Sequence, residues 1–245
     1  MPKRNLLILE KAGSPWIDYL EEFFDDTSSQ LFFFDNAHAA GQKFENAVFD
    51  MAFLNPGMLS LPLIQKLKVA RASTGHFRIV RLGKPSGKLS NLVYDAAFDE
   101  KIPWLDFQKQ LMNCLLFPET VQILVVDDEI EICNMVRDYL EGRSQPAFEI
   151  DYAENGELGL RALARKKPDV LVLDIKMPVL DGREVYRTIQ KQRLEIPVII
   201  FFDAVFGDEI EAIRKIGKPA VVEKGSHQSR MAELLMLIKK LVYFG

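Results

Sequence analysis

The sequence predicts an α/β protein of two doubly wound domains, residues 1–118 and 121–245, each built on a five-stranded parallel sheet. Three observations predict it. Unbroken apolar runs such as Ile123–Val126 and Val170–Leu173 alternate with stretches whose apolar residues recur at helical spacing, the pattern of strands covered by helices on both faces. The alternation occurs twice, with an offset of roughly 117 to 123 residues, which reads as a tandem repeat. Between the halves stands Pro118-Glu119-Thr120, a break too short for anything but a linker and one that a helix does not cross without cost.

In the first half, residues 4–10 read as a strand. Ser14-Pro15 opens a helix, with serine as N-cap and proline at the first helical position. Residues 30–35, carrying Leu31-Phe32-Phe33-Phe34, give a second strand, and a short helix over 37–44 leads to a third strand, 47–54. Ser60-Leu61-Pro62 starts a helix that runs to about residue 72. Strands at 77–82 and 92–98 and a closing helix over 103–117 complete the half. The stretch 83–91 between the last two strands is rich in glycine, proline and serine, so the fourth helix is expected to be missing or reduced to a turn.

The second half repeats the order. A strand ending at Val126 precedes a helix over 129–141 with Ile132, Met135, Val136, Tyr139 and Leu140 on one face. A strand at 148–152, a helix at 157–166 and a strand at 169–174 follow. Gly182 frees a turn before a helix reaching Gln192. A strand over 197–202, a full fourth helix over 208–216, a strand within 218–224 and a helix from about 228 to 242 finish the chain.

The chemistry lies at strand ends. Ile123–Val126 runs into Asp127-Asp128-Glu129, and Val170–Leu173 into Asp174. In an open α/β sheet, ligands bind beyond the carboxyl ends of the strands, and two such strands side by side bring three carboxylates to one edge. Three anions converging there call for a hard divalent cation, Mg²⁺ with several waters retained. A carboxylate with space before it can then accept a phosphoryl group.

From about Val121 to Leu241 the sequence resembles the receiver domain of two-component response regulators, a flavodoxin-like (βα)5 fold. The resemblance rests on Val125-Val126-Asp127-Asp128-Glu129, on Val172-Leu173-Asp174-Ile175-Lys176-Met177-Pro178 with Asp181-Gly182, and on Lys224 after Ala220–Glu223. It implies that Asp174 is the phospho-acceptor, that Asp127 and Asp128 bind Mg²⁺ together with Asp174 and the backbone carbonyl of Lys176, and that Lys224 pairs with the acceptor. The family's hydroxyl position at the end of the fourth strand is filled by Phe202, or by Asp203 or Ala204 if the count slips; its aromatic position in the fifth strand is filled by Val221. None of these donates a hydroxyl hydrogen bond to a phosphoryl group. Signalling is therefore expected to leave through the loop after Asp174 or through the domain interface, with little displacement of the fourth helix and fifth strand.

Sliding one half on the other sets Glu10-Lys11 against Asp127-Asp128. Matching Pro56 with Pro178 sets Ala52 against Asp174, and Lys101 falls near Lys224. The first half thus reads as a degenerate receiver that binds no Mg²⁺ and accepts no phosphoryl group. Asp50, two residues before Ala52, is read as a strand-interior acid with a local partner, a displaced acceptor being the alternative.

Across 245 residues, 48% apolar and 27% charged residues are ordinary for a globular protein. A net charge of −4 without a basic stripe argues against nucleic acid. No run approaches the roughly 18 to 20 residues that span a bilayer, and the apolar run Leu6–Leu9 is short for a signal peptide; a cytoplasmic protein is expected. Cys114 and Cys133 read as small buried hydrophobes, His38, His76 and His227 as ordinary surface or capping residues, and Glu209 and Glu211 with Arg214 and Lys215 as a solvated helix face. The expected function is a response regulator of a phosphorelay, phosphorylated by a histidine kinase or phosphotransfer protein. It would signal through a downstream protein partner and catalyse only its own phosphorylation and dephosphorylation. Any homodimer is expected to use residues 208–241. The alternatives are a phosphorylation-independent scaffold or adaptor and, less well supported, a Mg²⁺-dependent phosphohydrolase.

Overall fold

The computed structural model describes residues 4–25, 27–85, 92–142, 146–203, 207–224 and 228–245, with only the backbone described at 207, 208 and 228. The chain divides into two compact units, one reaching to Leu116 and the other running from Phe117 to Tyr243. Each is an α/β unit on one five-stranded sheet.

The first unit comprises β1 (Asn5–Leu9), α1 (Pro15–Phe24), β2 (Gln30–Phe34), α2 (Ala37–Asn46), β3 (Met51–Leu54), α3 (Leu61–Thr74), β4 (Arg78–Leu82), β5 (Ala96–Phe98) and α4 (Trp104–Asn113), with a 3₁₀ turn at Pro56–Met58. The second comprises β6 (Thr120–Val126), α5 (Ile130–Glu141), β7 (Ala147–Ala153), α6 (Gly156–Arg165), β8 (Val170–Leu173), α7 (Gly182–Lys191), β9 (Val198–Phe202), α8 (Gly207–Arg214), β10 (Ala220–Glu223) and α9 (Gln228–Phe244). The strand orders are β2-β1-β3-β4-β5 and β10-β9-β8-β6-β7, and every pairing is parallel. Read in sequence order, both are 2-1-3-4-5, the flavodoxin-like doubly wound order, whose switch point lies between the first and third strands.

The apolar runs form strands because both sheet faces are covered. Along β6, Val121, Ile123 and Val125 pack into a core with α5 and α9, while Leu124 and Val126 enter the opposite core with α6 and α7. The four residues of β8 are each at most 1% exposed, so each side chain contributes roughly 1.5–3 kcal/mol by leaving water. Ser14 and Ser60 begin their helices as expected, each accepting a backbone N–H of the first turn, and Asn155 and Asp181 do the same for α6 and α7.

Two expected elements come out differently. The third strand begins at Met51 instead of residue 47, and the fifth spans only Ala96–Phe98 instead of 92–98. Between β4 and β5 no helix occurs among the described residues, the stretch 86–91 lying outside them. No helix among the described residues is long and apolar enough to cross a membrane.

Asp50 precedes β3 at its amino end, opposite the edge where ligands bind, and is not strand-interior. Its Oδ2 accepts the backbone N–H of Asn5 at 2.9 Å and its Oδ1 meets Arg4 at 3.1 Å. Asp169, before β8, accepts the N–H of Gln122 at 2.8 Å in the same way. An acid that closes the lower end of the sheet is thus part of the repeat, with a structural task in both units.

Candidate functional site

β6 and β8 lie side by side, pairing Val126 with Leu173. The next residues, Asp127 and Asp174, therefore emerge together at the carboxyl edge; Asp174 N–H donates to Val126 O at 2.9 Å, and Asp127 N–H to Ala153 O at 3.1 Å. Asp127, Asp128 and Asp174 bring ligand oxygens within 4.8 Å of one another, the one such acidic group among the described residues. Asp127 and Asp174 are buried and Asp128 is exposed. Lys224, directly after β10, places Nζ 2.9 Å from Asp127 Oδ2, 2.9 Å from Asp174 Oδ1 and 3.7 Å from Glu129 Oε1. All four expected side chains thus converge at one point.

Electrostatics sets their protonation. Burial raises the Asp127 carboxyl, against the pull of Lys224, and pushes Asp174 up to about 6. Burial alone would lower the Lys224 ammonium, but its hydrogen bonds and ion pairs with Asp127 and Asp174 outweigh that and raise it, so it stays charged. One ammonium faces three carboxylates. Apart from the Lys224 ion pair, no hydrogen-bond donor among the described residues reaches the buried Asp127 Oδ2. An excess of negative charge, and a buried Asp127 Oδ2 whose one partner among the described residues is the shared Lys224 ammonium, fit a hard divalent cation held by oxygen ligands.

The loop after Asp174 is tightly built. Gly182 N–H donates to Ile175 O at 2.9 Å, and a Cβ at Gly182 would stand 1.8 Å from Asp174 O. A Cβ at Gly156 would meet Leu180 O at 2.3 Å. Between these points, Val179 is held at φ 70°, and Leu180 N–H donates to Pro178 O at 2.8 Å. Lys176, in the same loop, pairs through Nζ with Glu209 Oε1 of α8, and Arg183 of α7 lies 3.5 Å from Glu209 Oε2. Glu209 therefore faces the loop after Asp174 and is not part of a solvated helix face. That pairing links residues 33 positions apart, and no local spacing signals it.

The first unit corrects the sequence alignment. Asn55 N–H donates to Leu9 O at 2.9 Å, as Asp174 N–H does to Val126 O, and Glu10 N–H donates to Phe34 O at 3.0 Å, as Asp127 N–H does to Ala153 O. The strand register thus sets Asn55, not Ala52, at the place of Asp174; Ala52 is buried inside β3. Asn55 Nδ2 donates to Glu10 Oε1 at 2.8 Å, and its Oδ1 accepts from Gly57 N–H at 2.9 Å. Followed through β4 and β5, the register sets Phe98 against Val222, so Glu100 occupies the place of Lys224. Lys101, beside it, lies over the ring of Tyr19 at 4.2 Å.

The fold and edge of the second unit define a class, a flavodoxin-like domain with a lysine-bridged acidic pocket at its switch point. Residues 123–236 match the family model of the response regulator receiver domain. The C-terminal part of this chain is a response regulator receiver domain. It is 36% identical over 104 residues to the alkaline phosphatase synthesis transcriptional regulatory protein PhoP of Bacillus subtilis, covering 40% of this chain and 42% of that one. It is 39% identical over 83 residues to a protein-glutamate methylesterase/protein-glutamine glutaminase of Treponema denticola, covering 34% and 22%. The chain thus spans less than half the length of either relative. Among solved structures, the Francisella response regulator 1452 receiver domain is 24% identical, with a TM-score of 0.44 over 50% of this chain and 96% of that chain. The Vibrio cholerae chemotaxis protein CheY4 is 21% identical, with a TM-score of 0.43 over 49% and 98%.

Proposed function

We propose that this chain is a response regulator of a phosphorelay that accepts a phosphoryl group on Asp174 from a histidine kinase or phosphotransfer protein. The observation that carries this reading is Lys224, held 2.9 Å from both Asp127 and Asp174 at the carboxyl edge of the sheet. A carboxylate oxygen of Asp174 attacks the phosphorus of a phosphohistidine, the P–N bond breaks, and its electron pair leaves on the imidazole nitrogen, which takes a proton. Lys224, already charged, shifts its pairing from the carboxylate to the phosphoryl oxygens. Asp127, Asp128, Asp174 and the backbone carbonyl of Lys176 would hold Mg²⁺, which when bound neutralises charge on the transferring oxygens.

The first unit is a degenerate receiver in this reading. Asn55 and Glu10 replace the acceptor and a metal ligand, and the Asn55 amide is committed at both ends. Output passes to a downstream protein partner, with neither nucleic acid nor membrane contacted directly, and the setting is cytoplasmic. The relatives' names include a transcriptional regulator and a methylesterase, so the receiver defines the input and not the output. If copies of the chain pair, residues 208–241 are the surface proposed, of which 225–227 lie outside the described residues. A phosphorylation-independent scaffold is the second reading, favoured by the first unit alone.

Labelling with radioactive acetyl phosphate in Mg²⁺ tests the acceptor. The full chain should take up label that EDTA abolishes, and Asp174→Asn should take up none while remaining folded. Label retained in Asp174→Asn, at Asp50 or elsewhere, would sink the assignment.

A further inference from the structure

Glu209 holds two cations at once. Its Oε1 pairs with Lys176, two residues beyond Asp174, and its Oε2 lies 3.5 Å from Arg183 in the first turn of α7. Arg183 also contacts Asp181, the α7 N-cap, at 3.4 Å. Its Nε is buried without a hydrogen-bond partner among the described residues, so its pairing is incomplete. A single carboxylate of α8 thus ties that helix to both ends of the loop running from Asp174 to Gly182. Glu209 is 23% exposed but Lys176 46%, so this pair is partly screened by solvent.

We infer that Glu209 is the residue through which α8 responds to the state of Asp174, by exchange of ion pairs. The inference rests on the proposed acceptor role of Asp174 and names how that site is read. An acyl phosphate at Asp174 carries more negative charge than the carboxylate that it replaces, and it competes with Glu209 for the Lys176 ammonium. Once Lys176 turns to the phosphoryl oxygens, α8 keeps its packing through Ile210 and Ile213 but, of these two ion pairs, only the one with Arg183. The helix is loosened and not displaced, which needs neither a hydroxyl at Phe202 nor an aromatic ring at Val221. Glu209 is here a positioning residue: it touches neither the donor nor the transferred group.

Hydrogen exchange on the full chain, with and without beryllofluoride and Mg²⁺, tests this. A partly screened ion pair contributes of order 0.4–1 kcal/mol, so beryllofluoride should raise amide exchange in α8 about two- to five-fold while β10 stays unchanged. Glu209→Gln should show the raised exchange without beryllofluoride and little further change with it. Lys176→Gln should do the same from the other end of the pair, and Glu209→Asp should restore part of the difference. Fluorine NMR monitors occupancy in every sample. A bound fluorine signal with unchanged α8 exchange, or Glu209→Gln responding like the wild type, overturns the inference alone. No bound fluorine signal in the wild type overturns the acceptor reading, and the inference with it.

Discussion

Asn55 stands in the first sheet where Asp174 stands in the second. Each donates its backbone N–H at 2.9 Å to the last residue of its unit's first strand, Leu9 and Val126 respectively. The side chains differ by one atom and behave oppositely. Asp174 faces an ammonium, whereas the Asn55 amide bridges Glu10 and Gly57 N–H. Restoring the acid at this place should therefore not restore the chemistry. Asn55→Asp would turn a 2.8 Å hydrogen bond into a contact between two carboxyl groups, with Glu100 where a lysine would be needed. We expect the variant to lose about 1–3 kcal/mol of stability in urea unfolding of the full chain and to gain no second labelled site. Label on the substituted residue in acetyl phosphate, separated from Asp174 by peptide mapping, would refute this.

Metal binding should show the same asymmetry. Titration calorimetry is expected to give one Mg²⁺ site per chain, lost with Asp128→Ala and unaffected by Glu10→Gln or Lys11→Ala. The exposed Asp128 is the better variant because its removal leaves the buried Asp127–Lys224–Asp174 group in place. A second Mg²⁺ equivalent, or loss of binding with Glu10→Gln, would count against a degenerate first unit.

The second site is legible in the sequence because its carboxylates sit directly after long apolar runs. Such a run fixes where a strand ends, and hence which side chains share the edge. Asn55 escapes notice for the complementary reason. Met51–Leu54 is a short strand that ends in an amide and passes at once into a 3₁₀ turn at Pro56. Asp174 stands four positions before Pro178 but Asn55 directly before Pro56, so matching the prolines shifts the register by three. Asp50 misleads in the same way, since an acid near a strand reads alike at either end until the pairing is known. The Lys176–Glu209–Arg183 group depends on how α7 and α8 pack, and no periodicity within one helix encodes that.

The loop after Asp174 stores strain that can be removed. Val179 is β-branched, has φ 70° and is 75% exposed, so its side chain gains little from packing. A β-branched residue in this region is a steric outlier costing about 1–3 kcal/mol. Val179→Asn tolerates the conformation without the unfolded-state entropy that glycine adds. We expect stabilisation of about 0.5–2 kcal/mol in chemical denaturation, within that strain range. Gly182→Ala should do the reverse, because its Cβ would overlap Asp174 O and push Asp174 from its register, weakening Mg²⁺ binding. Equal stability of Val179→Asn and the wild type would show that the loop bears no such strain.

The raised pKa of Asp174 makes a signed prediction for the metal-free protein. In the unfolded chain this carboxyl titrates near its ordinary value of 3.8, and in the native state burial pushes it up to about 6. The native state therefore holds the proton more tightly, so this group's favourable contribution is complete below about pH 4. It is lost as pH rises towards 6 and stays lost above. The full effect is of order 2–3 kcal/mol, since each tenfold gain in proton affinity is worth roughly 1.4 kcal/mol. Other carboxylates slope the opposite way, Glu45 among them, whose pairing with Lys66 lowers its pKa. The quantity to measure is thus the stability of the wild type minus that of Asp174→Asn, in EDTA at constant ionic strength. This difference should fall between pH 4 and pH 6.5 and then level off. Saturating Mg²⁺, which binds the ionised form, should flatten or reverse the fall. A difference that rises with pH in EDTA would mean that the native site favours the ionised carboxylate without metal, contrary to the burial that dominates its environment.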